Sequence, residues 1–145
     1  MMQFEMKHRV QYYETDSMGI VHHSNYIRYF ETARTEFIRQ RELPYNRIEE
    51  LGVYIPVLAV KAEYKAPAVY DEMITLACRV SKLSFASFEV EYEVRNAETG
   101  QLHATGWSRQ AFTDKNFRPV VIKKASPEIY EVFRKTYEES LENEG

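Results

Sequence analysis

The residues best equipped for chemistry are crowded into one stretch, Tyr12-Tyr13-Glu14-Thr15-Asp16-Ser17-Met18-Gly19-Ile20-Val21-His22-His23-Ser24-Asn25-Tyr26. Asp16 precedes Gly19, two tyrosines stand before it, and the paired His22 and His23 lead into Ser24. A carboxylate in such a place can attack an activated carbonyl itself or draw a proton from water. Backbone N–H groups at a following helix start can then stabilise the oxyanion, helped by the helix dipole. On spacing alone Asp16 reads more simply as a turn former. His22 and His23 invite a metal reading, but adjacent side chains diverge, and no further ligand follows at a recognisable spacing, His8 and His103 being remote. No metal site is predicted. Ser24 lacks a Ser–His–Asp arrangement and reads as a helix cap.

The elements that must position this stretch are legible from periodicity. Phe4 to Tyr13 is apolar and aromatic without a helical stripe, and predicts a first strand. Tyr26, Tyr29, Phe30, Ala33 and Phe37 recur at helical spacing, with Arg28, Glu31, Arg34, Glu36 and Arg39 between them. They predict an amphipathic helix over 24–41, its apolar face broad enough for a sheet to wrap. A short helical piece over 45–51 closes at Gly52. Alternation then takes over, with β-forming residues over 53–64, a connector at 65–68, and strands over 73–83, 85–96 and 101–113 as an antiparallel meander. Cys78 falls on the dry face, and Glu89, Glu91 and Glu93 on the wet one. Residues 118–122 suit at best a short edge strand. Ser126-Pro127-Glu128 opens a last helix, with 138–145 expected to fray. The pattern is one α+β domain over 1–145, a long helix facing a curled antiparallel sheet.

At 145 residues the chain can bury a real core. A net charge of −3 supplies no broad basic field for nucleic acid. No apolar run has the length of a membrane span, and residues 1–7 lack the apolar centre of a signal peptide, so a cytoplasmic protein is expected. One cysteine forms no internal disulfide.

Tyr12-x-x-Thr15-Asp16-x-x-Gly19-x-Val21-x-His23-x-Asn25-Tyr26, followed by Phe30-Glu31-x-Ala33-Arg34, resembles the signature of hotdog-fold acyl-CoA thioesterases, nearest to the 4-hydroxybenzoyl-CoA thioesterase and YbgC-like branch. The resemblance implies a five- to six-stranded antiparallel sheet wrapped around a central helix, with a C-terminal helix. It implies thioester hydrolysis without cofactor, and a homodimer pairing sheets edge to edge, or a homotetramer. Carried over by position, Asp16 is the catalytic carboxylate, His23 offers the N–H at the helix start, and Tyr12 is the aromatic near the carboxylate. Gly19 permits the turn, and Ser24 stands with it near the oxyanion hole. Family signatures often carry an acid at the position of Tyr13 or Glu14, a small residue at that of Met18 and Tyr at that of His22, departures that bear on acyl specificity.

Coenzyme A carries phosphates, so basic residues at strand ends and turns become candidates for its groove: Lys65, Lys82, Lys115 and Arg118. Each suits a solvated surface equally well. Ser84 and Ser87 are candidates by family analogy, and Tyr26, Tyr29 and Phe30 for the acyl pocket. Two alternatives stand beside acyl-CoA hydrolysis: an acyl-carrier-protein thioester as substrate, and a non-catalytic module that binds acyl-CoA or a partner.

Overall fold

The computed structural model describes residues 2–142. Five strands form one antiparallel sheet: β1 (Phe4–Arg9), β2 (Val57–Tyr64), β3 (Met73–Leu83), β4 (Ser87–Asn96) and β5 (Leu102–Ala111), in the order β1-β3-β4-β5-β2. The expected meander is β3-β4-β5, and β1 and β2 are the edges. Helix α1 (Ser24–Gln40) lies on one face, with α2 (Tyr45–Glu50), α3 (Ile122–Ala125) and α4 (Pro127–Glu142) completing the chain.

Strict alternation on β4 produces the two faces. Phe88, Val90, Tyr92 and Val94 are buried on the helix-covered face, Tyr92 against Phe30 of α1 and Phe88 against Phe133 of α4. Glu89, Glu91 and Glu93 point the other way, where Trp107 Nε1 donates to Glu89 (2.7 Å) and Arg79 and Arg95 pair with Glu91 (3.0 Å) and Glu93 (2.8 Å). From α1, Tyr26, Tyr29, Phe30, Ala33, Phe37 and Ile38 bury the predicted stripe, and Cys78 is core as expected. Phe30 stacks on Tyr92 at 4.6 Å between ring centroids. It lies so close over Gly106 that a Cβ there would come within 2.3 Å of the ring.

Four local expectations change. The first strand stops at Arg9, because Glu14 accepts the Gln11 N–H (2.7 Å) and folds residues 12–14 into a single 3₁₀ turn. No strand forms over 118–122: Asp114 Oδ1 accepts the N–H groups of Asn116 (2.8 Å) and Arg118 (3.1 Å), Pro119 has no N–H to offer, and the chain goes on to α3. Helix α4 is ordered through Glu142 because Ser140 is buried and accepts from Arg79 (3.1 Å) while Glu139 pairs with Arg41; residues 143–145 of the expected frayed tail lie outside the described residues.

Arg34, read as part of the polar face of α1, is 7% exposed. Its Nη1 donates to Tyr92 Oη (2.9 Å) and its Nε to Tyr45 Oη (3.2 Å), and Tyr92 bonds onward to Ser108 Oγ (2.6 Å). Burial opposes the charge on Arg34, but these phenol oxygens outweigh it and keep the guanidinium protonated.

Candidate active site

The Asp16 stretch is a small self-closed hairpin. Thr15 bridges Val21, the Asp16 N–H donates to Ile20 C=O (2.8 Å), and the Gly19 N–H donates to Asp16 C=O (3.0 Å). The closure requires φ of +78° at Gly19, a left-handed conformation that costs a glycine little. Asp16 Oδ1 accepts the Met18 N–H at 2.8 Å, so Asp16 does form the turn as the simpler reading has it. Its second carboxylate oxygen has no hydrogen-bond partner among the described residues, and Asp16 also lines a cleft. That cleft, of about 470 Å³, is bounded by Asp16, Met18, Ile20, Val21, His23 and Tyr26 on one side and by Tyr64, Lys65, Ala66 and Pro67 on the other.

Most amides at the start of α1 are already engaged. The N–H of Val21 goes to Ala68 C=O (2.9 Å) and that of His22 to Glu14 C=O (2.9 Å). Asn25 and Tyr26 donate to the carbonyls of His22 (2.9 Å) and His23 (3.3 Å). The Ser24 N–H donates to His22 Nδ1 (3.2 Å), which also meets Ser24 Oγ at 2.8 Å. Among the described residues the His23 N–H alone in this run has no acceptor, and it stands at a helix N-terminus beside the cleft. Ser24 is the first helical residue and not the cap, which is His23, and its N–H and hydroxyl are engaged by His22. The rings of His22 and His23 do not diverge but lie 4.2 Å apart, tilted by 30°.

Tyr64 was not singled out in the sequence, where it is one more residue of an alternating strand. Its hydroxyl donates to His23 C=O (3.3 Å) across the cleft, and its ring lies 5.3 Å from that of Tyr26. Burial pushes the Tyr26 phenol up and keeps it neutral. Tyr12 is 77% exposed and leans edge-on against Tyr70 (5.6 Å), outside the cleft lining. Lys65 lies in the cleft, its Nζ bonded to Glu63 (3.2 Å).

The other basic and hydroxyl candidates sit elsewhere. β3 runs from Met73, paired with Arg9 near the hairpin, to Leu83 at the far end of the sheet, roughly 33 Å away. Lys82, Ser84 and Ser87 are at that far end, where Lys82 approaches Glu89 (3.8 Å) and the Ser84 N–H donates to Ser87 C=O (2.8 Å). Lys115 and Arg118 are exposed in the turn that follows β5. Within one chain these five do not meet Asp16.

The sequence reading also missed a buried acid–base pair behind the cleft. His103, 2% exposed, bonds Glu72 through Nε2. Burial alone would raise the Glu72 carboxyl, but donors from Val69, His103 and Asn96 outweigh it and hold the group below its ordinary 4.5. Stability from this carboxylate is therefore complete above pH 4.5 and is lost as pH falls through the lower folded value. The difference in urea midpoint between the native protein and Glu72→Gln is expected to shrink as pH is lowered below that point. A difference independent of pH would contradict the ionised state of Glu72.

A family model described as the thioesterase-like superfamily matches residues 10–135. The chain belongs to that superfamily. This thioesterase-like chain is 35% identical over 96 residues to the acyl-CoA thioesterase YbgC of Helicobacter pylori, covering 63% of the chain and 69% of that relative. It is 30% identical over 95 residues to the acyl-CoA thioester hydrolase YbgC of Escherichia coli, covering 66% and 71%. The structure of a DHNA-CoA thioesterase from Staphylococcus aureus superposes with a TM-score of 0.87 at 30% identity, covering 97% of this chain and 93% of that one. The thioesterase-like sheet and its long helix are the hotdog fold.

Proposed function

We propose that this protein hydrolyses an acyl-CoA thioester to the free acid and coenzyme A. The observation that carries the reading is the unpaired N–H at a helix start of His23, a residue that lines the same cleft as Asp16. In the proposed reaction the carbonyl oxygen takes the place of an acceptor on the His23 N–H. Asp16 either removes a proton from the attacking water or attacks the carbonyl carbon itself. The carbonyl π electrons move to oxygen, and their return expels the coenzyme A thiolate. Where water attacked, the proton taken by Asp16 passes to the thiolate; where Asp16 attacked, water hydrolyses the resulting acyl–Asp16 anhydride, which releases the free acid, restores the carboxylate and leaves a proton for the thiolate. The reading draws support from the superfamily match and from relatives named as acyl-CoA thioesterases. Release of free thiol from a panel of short, long and aromatic acyl-CoAs tests it, with matched acyl-carrier-protein thioesters alongside. Saturable binding without thiol release across the panel would make the chain a binding module.

We also propose an edge-to-edge homodimer through β2. That edge exposes Val57, Leu58, Val60 and Tyr64, with Lys61 and Glu63 paired to each other (3.2 Å), whereas the β1 edge exposes only Glu5, Lys7 and Arg9, charges that discourage strand pairing. Antiparallel pairing about a two-fold axis would set the Tyr64 end of one β2 beside the Val57 end of its partner. The far end of each sheet, with Ser84, Ser87, Lys82 and Arg118, would then approach the other chain's cleft.

The role given to the His23 amide makes a prediction about its side chain. His23 has φ −54°, a value proline adopts without strain, so His23→Pro deletes the N–H with little cost at that residue. Its kcat is expected to fall about 10²–10³-fold, while His23→Ala, which keeps the N–H, stays within about tenfold of the native rate. Equal losses in the two variants would assign the effect to the ring.

A further inference from the structure

The cleft wall at Lys65, Ala66 and Pro67 continues through residues 68–72 before entering β3, without helix or strand of its own. It touches the Asp16 hairpin by the Tyr70 N–H on Gly19 C=O (3.4 Å) and by Ala68 C=O, which receives the Val21 N–H (2.9 Å). The Asp71 N–H reaches Val10 C=O (3.0 Å). The wall is fastened to the sheet at two places, the end of β1, where Val10 N–H donates to Glu72 C=O (2.9 Å) and Arg9 Nη1 to Asp71 C=O (2.7 Å), and His103 on β5. The His103 carbonyl accepts the N–H of Lys65 (2.8 Å), its Nδ1 lies 3.0 Å from Ala66 C=O, and its Nε2 meets Glu72 Oε2. Glu72 also receives the Val69 N–H at Oε1 (3.1 Å) and Asn96 Nδ2 at Oε2 (2.9 Å).

Each ring nitrogen of His103 faces an oxygen. The Ala66 carbonyl only accepts, so Nδ1 donates. Both Glu72 oxygens receive N–H groups as a carboxylate does, and a carboxylate facing Nε2 calls for a donor there as well. A neutral imidazole has one N–H, and here it would leave a buried lone pair facing an oxygen. From α1 the titratable group facing the pair is the Tyr26 phenol, close enough to feel the Glu72 charge; Asn96, from β4, is neutral.

We propose that His103 is held as an imidazolium and, with the Glu72 carboxylate, forms a charged clasp that positions the 65–72 wall against the Asp16 hairpin. His103 is thus a positioning residue that sets the width of the cleft and touches no substrate. Only its effect on turnover rests on the hydrolytic reading above. The first test is ¹⁵N NMR of histidine-labelled protein in neutral buffer, in which both His103 ring nitrogens are expected to be protonated. One unprotonated nitrogen overturns the clasp. In Glu72→Gln, hydrogen exchange is expected to quicken at the amides of Val21, Tyr70 and Asp71, while the β4–β5 ladder keeps its protection. The kcat should fall about 10- to 100-fold in protein that still unfolds cooperatively. Native exchange at those amides, or native kcat, in folded Glu72→Gln overturns the positioning role. Should that variant not fold, Asn96→Asp carries the same readouts. It keeps the Oδ1 bonds to Glu98 and Thr99 but sets a second carboxylate beside Glu72, and unchanged exchange there is equally decisive against the clasp. If the native protein hydrolyses no thioester, the proposed function fails, and the ring-nitrogen and exchange measurements still decide the clasp.

Discussion

Asp16→Asn is expected to slow thiol release by about 10²–10⁴-fold while leaving the fold intact. The two halves of that expectation have separate causes. Asp16 Oδ1 accepts the Met18 N–H, and an asparagine carbonyl accepts it equally, so the hairpin keeps its bond. What asparagine cannot do is act as a carboxylate, either as nucleophile or as base. Circular dichroism and the thermal midpoint should therefore match the native protein, and only turnover should fall. An Asn variant with native turnover would remove Asp16 from the chemistry and leave it as the turn former its spacing first suggested.

Phe30→Ala is expected to cost about 3–5 kcal/mol, seen as a lower denaturant midpoint at unchanged m-value. Phe30 is fully buried and stacked on Tyr92, and its ring occupies the space that Gly106 leaves by having no side chain. The neighbours are poorly placed to close the gap. Gly106 has nothing to move, and Tyr92 is tied by its hydroxyl to Arg34 and Ser108. A loss below about 1 kcal/mol would mean that the core relaxes around the missing ring despite those ties.

Much of the fold was readable because one face of β3 and β4 is dry and the other wet, which writes a period of two into the residues. The long helix was readable for the same reason at its own period. Arg34 was misread because periodicity assigns a residue to a face by type. A guanidinium can enter the core only if partners such as Tyr45 and Tyr92 await it, and those come from other elements. The hairpin around Asp16 announced itself through local residue types. Tyr64, Glu72 and His103 did not, since each acquires its meaning from a contact 31 or more residues away. The dispersal of Lys82, Ser84, Ser87 and Arg118 to the far end was likewise invisible, because strand ends look alike until the strand order is known.

The hairpin that carries Asp16 is closed by bonds within residues 15–21, and the His23 amide follows directly. Little loop-closure entropy separates the two groups, so this corner is a low-contact-order unit able to form from its own neighbours. The opposite wall arrives from 41 residues along the chain, at the Tyr64 contact with His23. Partial unfolding should follow that asymmetry. The wall can detach as a subglobal opening, widening the entrance, while the carboxylate and the amide keep their mutual arrangement.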